Sequence, residues 1–357
     1  MFGANPRSYT DQANEHDILQ LMRGFGILLV VLQHAFILYL DSDAALTFVN
    51  ICVFIDVHVF MFVSGYLFQK KSEKYREMEM LQFTKKKFNS LMVPYLFWES
   101  VLYFGTFFLY LLSDWYGVNV VDELGFQRLS LSDIFVSFLT YRYSYIELYW
   151  FLFALFWVFV INYSFLKFSH RIEFIVICSL LFAILSMYLK SDNYILTKMG
   201  RSILTFGFGR LFQKYRLERV FIKNWILLII SLISFDYLFC VYVEIRNTPL
   251  RIIYKNYKIS LIGILGILIF FIISTFLASY PFKLTKAIII LGNYSLPIYL
   301  LHNPWIVHTS NMVAKMLSVP DEIGVVASTV LGIAVPILLY KYVIKKNALI
   351  SRITLGI

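Results

Sequence analysis

A short set of ionisable or imidazole side chains interrupts the apolar runs of this chain: Arg23, His34, Asp56, His58, Glu99, Arg201, Arg210, Asp236 and His302. Such groups are costly in hydrocarbon and usually mark function. Arg23 and His34 form the most informative pair. They stand eleven residues apart, which in a helix is three turns, or about 16 Å along one face. Gly26 lies between them near the same face. An arginine at the inner membrane edge suits a phosphate, and a buried neutral imidazole suits a general base near neutral pH. The plainer alternatives are a snorkelling arginine at a helix end and a hydrogen-bonded packing histidine.

The other candidates carry similar alternatives. Asp56 and His58 lie within a turn of each other. They form either a locally paired polar patch or, if the patch faces His34, a carboxylate that orients an imidazole. Ser64 and Tyr66 suit helix packing as well as ligand contact. Arg201 and Arg210 flank a glycine-rich stretch; Arg201 could meet a phosphate, whereas Arg210 reads mainly as an inner anchor. The run from Tyr141 to Trp150 includes Glu147 and could grip a sugar, although an interfacial aromatic belt is the commoner explanation. Tyr299 and His302 end a broken, polar stretch, where a structural role is equally open. Glu99 and Asp236 default to helix pairing or a water cavity. Cys52, Cys178 and Cys240 lie inside apolar runs and suggest neither disulfides nor a metal site.

The elements that must hold these groups are membrane helices. The chain is 59% hydrophobic and 15% charged, too little polar surface for a soluble protein. Long continuous runs exclude a barrel. About 20 apolar residues cross a bilayer. The runs 24–40, 46–68, 91–112, 147–166, 174–189, 200–212, 225–243, 259–278, 287–308 and 323–344 therefore predict an all-α, polytopic bundle of about ten transmembrane helices. It forms a single membrane-embedded domain over 1–357. Lys and Arg concentrate in alternate segments, placing both termini in the cytoplasm. On that topology 1–23 is a cytoplasmic segment, 69–90 a basic cytoplasmic loop and 113–146 the longest outer loop. The loop 244–258, with Arg246, Arg251, Lys255 and Lys258, is basic yet falls outside. No cleavable signal peptide is visible. The net charge of +10 fits cytoplasmic loops held at an anionic bilayer leaflet, not nucleic acid.

Five stretches in order carry a family resemblance. They are Arg23-Gly24-Phe25 through Gln33-His34, Val59 through Ser64-Gly65-Tyr66-Leu67-Phe68, Lys85-Lys86-Lys87-Phe88 through Pro94-Tyr95-Leu96-Phe97-Trp98, Tyr149-Trp150-Phe151-Leu152, and Leu291 through Ser295-Leu296-Pro297-Ile298-Tyr299-Leu300-Leu301-His302. Together they resemble the Arg-x10-His signature and later motifs of the bacterial acyltransferase-3 family of membrane O-acyltransferases. The chain departs in having Gln20 where the family often has Asp, and Asp56-Val57-His58 where it often has Met-Pro.

The resemblance implies a bacterial cytoplasmic-membrane enzyme with no permanently bound cofactor. It would move an acyl group, expected to be acetyl, from acyl-CoA to a sugar hydroxyl of a surface polysaccharide or its lipid-linked precursor. It also implies that His34 is catalytic and that Arg23 helps place the donor. Lys86 and Lys87 of the basic loop, for which a topology anchor is explanation enough, and Arg201 are further candidates for donor phosphate. Asp56, His58, Ser64, Tyr66, Glu147, Trp150, Tyr299 and His302 are candidates for support or acceptor binding. An alcohol needs a base to become a nucleophile, and a thioester carbonyl needs its oxyanion stabilised. A transporter or flippase for a lipid-linked sugar is the alternative, since transporters also use broken helices and buried charges. A polysaccharide polymerase is a third.

Overall fold

The computed structural model describes residues 14–37, 43–116, 130–140, 149–169, 171–174, 177, 181, 194–217, 225–245, 251–280 and 282–357. The described residues form helices α1 (Glu15–Phe36), α2 (Asp43–Lys70), α3 (Ser72–Glu77), α4 (Met80–Lys87), α5 (Val93–Tyr116), α6 (Leu131–Thr140), α7 (Trp150–Phe168), α8 (Tyr194–Lys214), α9 (Trp225–Ile245), α10 (Arg251–Ala278), α11 (Lys283–Asn293), α12 (Ser295–Leu301), α13 (Val307–Met316), α14 (Asp321–Tyr342) and α15 (Ala348–Leu355). Among the described residues six helices are long and apolar enough to cross a membrane, and a seventh span results if the pair α11–α12, bent by 62°, counts as one. Most of the expected span 174–189, parts of the expected loops 113–146 and 244–258, and Glu147 and Cys178 lie outside the described residues.

Helix boundaries follow local chemistry. Asn14 caps α1, its side chain accepting from the backbone N–H of His16, and Glu15 and Asp17 fill the first turn. The helix therefore starts nine residues before the expected span, and 15–23 is helical. The segment 69–90 is likewise not an open loop. It folds as α3 and α4, which bury Tyr75 and Phe83, and runs through a π-helical turn, Phe88–Met92, into α5. That turn ends two residues before Pro94, whose ring removes a backbone donor. The expected short span 200–212 is instead a helix of 21 residues, α8. Lys70 at the end of α2 pairs with Glu15 at the start of α1, 2.7 Å apart, so these two helices run antiparallel.

Two glycine crossings bring the central helices close. A Cβ on Gly24 would strike the Ile288 carbonyl, and one on Gly292 would strike that of Gln20, so α1 and α11 touch backbone to backbone. Gly65 and Gly209 do the same for α2 and α8, against the carbonyls of Phe206 and Phe62. Small residues allow this approach where hydrocarbon supplies no hydrophobic drive between helices. One apolar core gathers around α7 and α12, and a second between α2, α8 and α10.

Candidate active site

The α1–α11 crossing, followed by the bend at Tyr294, carries the residues after α12 toward the last turn of α1. There the rings of His34 and His302 meet at 5.3 Å between centroids, tilted by 51°. His302 is fully buried, whereas His34 keeps partial exposure.

Their hydrogen bonds assign different jobs to the two rings. His302 Nδ1 lies 2.9 Å from the carbonyl oxygens of both Ile298 and Tyr299. Those oxygens only accept, so Nδ1 carries the hydrogen, and in the neutral ring Nε2 is a bare lone pair. That nitrogen is buried and has no partner. His34 Nδ1 instead accepts from Asn303 Nδ2 at 3.3 Å, which leaves the hydrogen of its neutral ring on Nε2. One imidazole thus offers a proton acceptor and its neighbour a donor.

Polar and aromatic groups surround the pair. Gly26 lets α2 approach, with the Asp56 carbonyl and Phe60 ring against it. Asp56 is 2% exposed; it accepts from the Val57 backbone N–H and the Gln33 side chain, with the Lys198 charge in reach. Lys198 Nζ stands 4.3 Å over the Trp150 ring. Tyr299 packs between Phe151 and His302, at 5.5 and 6.3 Å, and Tyr149 anchors α12 by donating to the Leu300 carbonyl at 3.2 Å.

The acyltransferase-3 profile, described as an acyltransferase domain, matches residues 16–341. The chain belongs to the acyltransferase-3 family. The match runs from the first turn of α1 almost to the end of α14 and contains every residue of the imidazole site. No curated protein and no solved structure matches the chain. With its membrane-length helices, this acyltransferase-3 protein is a multi-pass membrane acyltransferase.

Several sequence-derived candidates of this acyltransferase-3 chain fall elsewhere. Arg23 shares the His34 face of α1 and sits eight residues inside the helix. Asp56 does not orient the His34 imidazole; Asn303 takes that place. His58 points away from Asp56, toward Gly263 of α10 and the charge of Arg201. Ser64 and Tyr66 lie two or more turns further along α2, with Tyr66 against Phe62. Lys86 and Lys87 end α4, with Lys87 Nζ over the Phe159 ring of α7. Arg210 is no surface anchor: it is 1% exposed. Asn303, Gln33 and Lys198 are site residues that motif reading missed. Asn303 directly follows the His302 motif, and that adjacency was the available signal. Among the described residues no group of His, Cys, Asp and Glu could hold a metal ion.

Proposed function

We propose that this acyltransferase moves an acyl group, acetyl being the simplest, from acyl-CoA to a sugar hydroxyl of a surface polysaccharide or its lipid-linked precursor. The observation that carries this reading is the pairing of a bare imidazole nitrogen on His302 with an imidazole N–H on His34. Acyl transfer to an alcohol needs both a base and an oxyanion donor.

In this mechanism His302 Nε2 takes the proton of the acceptor hydroxyl while its oxygen attacks the thioester carbonyl carbon. His34 Nε2–H donates to the oxyanion of the tetrahedral intermediate. Collapse of the intermediate breaks the carbon–sulfur bond, and the leaving thiolate takes the proton held by His302. An O-acyl sugar and free CoA result, and both rings return to their starting tautomers. Arg23, on the His34 face of α1, steers the donor arm between the basic end of the bundle and the rings. Trp150 and Lys198 offer an aromatic face and a donor to the sugar. The termini then face the cytoplasm of a bacterial cell, where acyl-CoA is made. C-terminal Gly356 packs on Ser90, close to the basic end of α4, in keeping with that side.

The test uses the full chain in detergent with acetyl-CoA labelled in the acetyl group. We expect CoA thiol to appear in step with labelled sugar when an oligosaccharide acceptor is added, and neither to appear with His34→Ala. A wild-type chain that translocates a lipid-linked sugar in vesicles without consuming acyl-CoA would overturn this reading in favour of transport.

A further inference from the structure

Two cations stand over one aromatic platform at the end of the bundle where Lys70 meets Glu15, and the charge of a third reaches one of them. Arg210, almost wholly buried, lies with Cζ 4.9 Å over the Phe68 ring. Its Nε donates to Gln69 Oε1 at 3.1 Å and its Nη1 to Asn162 Oδ1 at 3.0 Å, both neutral groups. Lys87 Nζ stands 3.5 Å over Phe159, whose ring is 6.0 Å from Phe68. The Nε of Arg76 is buried without a partner, and its charge is close enough to repel that of Arg210. Glu73, Glu77 and Glu79 belong to the same segment, yet among the described residues no carboxylate pairs with any of the three cations.

This arrangement is unfavourable without a ligand. Burying a charge is tolerated when it is paired, and removing the pair leaves a large penalty. Ring faces and amide oxygens offset part of that cost, but they do not cancel the repulsion between like charges. A topology anchor would leave its cations in water or headgroups, whereas Arg210 is enclosed by α2, α7 and α8.

We propose that Arg76, Lys87 and Arg210 form a phosphate-binding site. The planar guanidinium groups supply forked donors to phosphate oxygens, and Lys87 supplies a point charge. The site itself does not depend on the function proposed above. The identity of its ligand does: with an acyltransferase, the phosphates are those of the acyl-CoA donor, and the platform lies at the end of the bundle away from His34. A phospholipid headgroup offers the same chemistry from another source.

Arg76→Gln and Lys87→Gln test the site without cutting into the buried Arg210 network. The full-length chain, stripped of phospholipid in neutral detergent, is titrated with CoA. In parallel it is placed in phosphatidylcholine discs with and without phosphatidylglycerol, and retained lipid is read by native mass spectrometry. Thermal melts confirm folding of each variant. We expect the wild type to bind CoA and each variant to bind it about tenfold more weakly, the loss of one charge-assisted contact. Pantetheine, which lacks the phosphates, should not distinguish the variants from the wild type. If the wild type ignores CoA but retains phosphatidylglycerol in a manner lost in both variants, the phosphate site stands and the acyl-CoA reading falls. If CoA binds the wild type and both folded variants equally, the site is overturned and the acyltransferase reading survives.

Discussion

His34 and His302 stand ring to ring, 5.3 Å apart between centroids, but are fixed by different neighbours. Backbone carbonyls of α12 hold His302 from below, and the Asn303 amide holds His34. The same short segment therefore supplies one ring and sets the tautomer of the other. A base and a donor side by side are what acyl transfer to an alcohol demands.

The first consequence concerns double substitution. His34→Gln and His302→Gln should each lower kcat by about 100-fold or more, the usual contribution of a positioned acid or base. The double variant should be little worse than either alone, because the two rings act on one step. Initial rates of CoA release from purified variants check this; independent, multiplying losses would mean that the rings serve different steps.

Asn303 gives a sharper test of tautomer. Asn303→Ala removes the donor to His34 Nδ1 and should cost about tenfold in rate, in line with one hydrogen bond of roughly 1.4 kcal/mol. Asn303→Asp should cost more, because a carboxylate accepts from Nδ1–H and so strips the hydrogen from Nε2. Rates for both variants at saturating donor decide the matter. A faster Asn303→Asp enzyme would make His34, not His302, the base.

Sequence reading singled out His34 and His302 separately, because motif order survives in a hydrophobic chain and helix geometry placed Arg23 and His34 on one face, but it did not bring the two rings together. It could not find what other helices supply. Arg210 looks like an anchor because a cation near a helix end normally snorkels; its burial depends on Asn162 and Gln69, from α7 and α2. The segment 69–90 looks like a loop because its polar residues dominate, while Tyr75 and Phe83 become core only once Phe68 and Tyr163 are beside them. Asp56 and His58 are close in sequence but turn to different helices, a distinction that spacing alone does not make.

The glycine crossings should be intolerant of even one methyl group. Gly65→Ala places a carbon against the Phe206 backbone, and separating packed helices costs about 1–3 kcal/mol. Gly105→Ala meets nothing within 4 Å and should leave stability unchanged or slightly raised. Thermal unfolding in one detergent compares the two, and equal melting temperatures would argue against a close α2–α8 crossing.

Asn162→Leu should destabilise the fold by about 1–3 kcal/mol, since it leaves a buried guanidinium donor unpaired. A melt of this variant beside the conservative Asn162→Gln checks it. An unchanged melt in Asn162→Leu would mean that water reaches Arg210.

The central claim is most directly tested by the rate of acetyl transfer from labelled acetyl-CoA to an oligosaccharide, measured for folded His302→Gln beside the wild type at saturating donor. The account expects kcat to fall by about 100-fold or more, with CoA binding retained. A variant that transfers acetyl at the wild-type rate would contradict it.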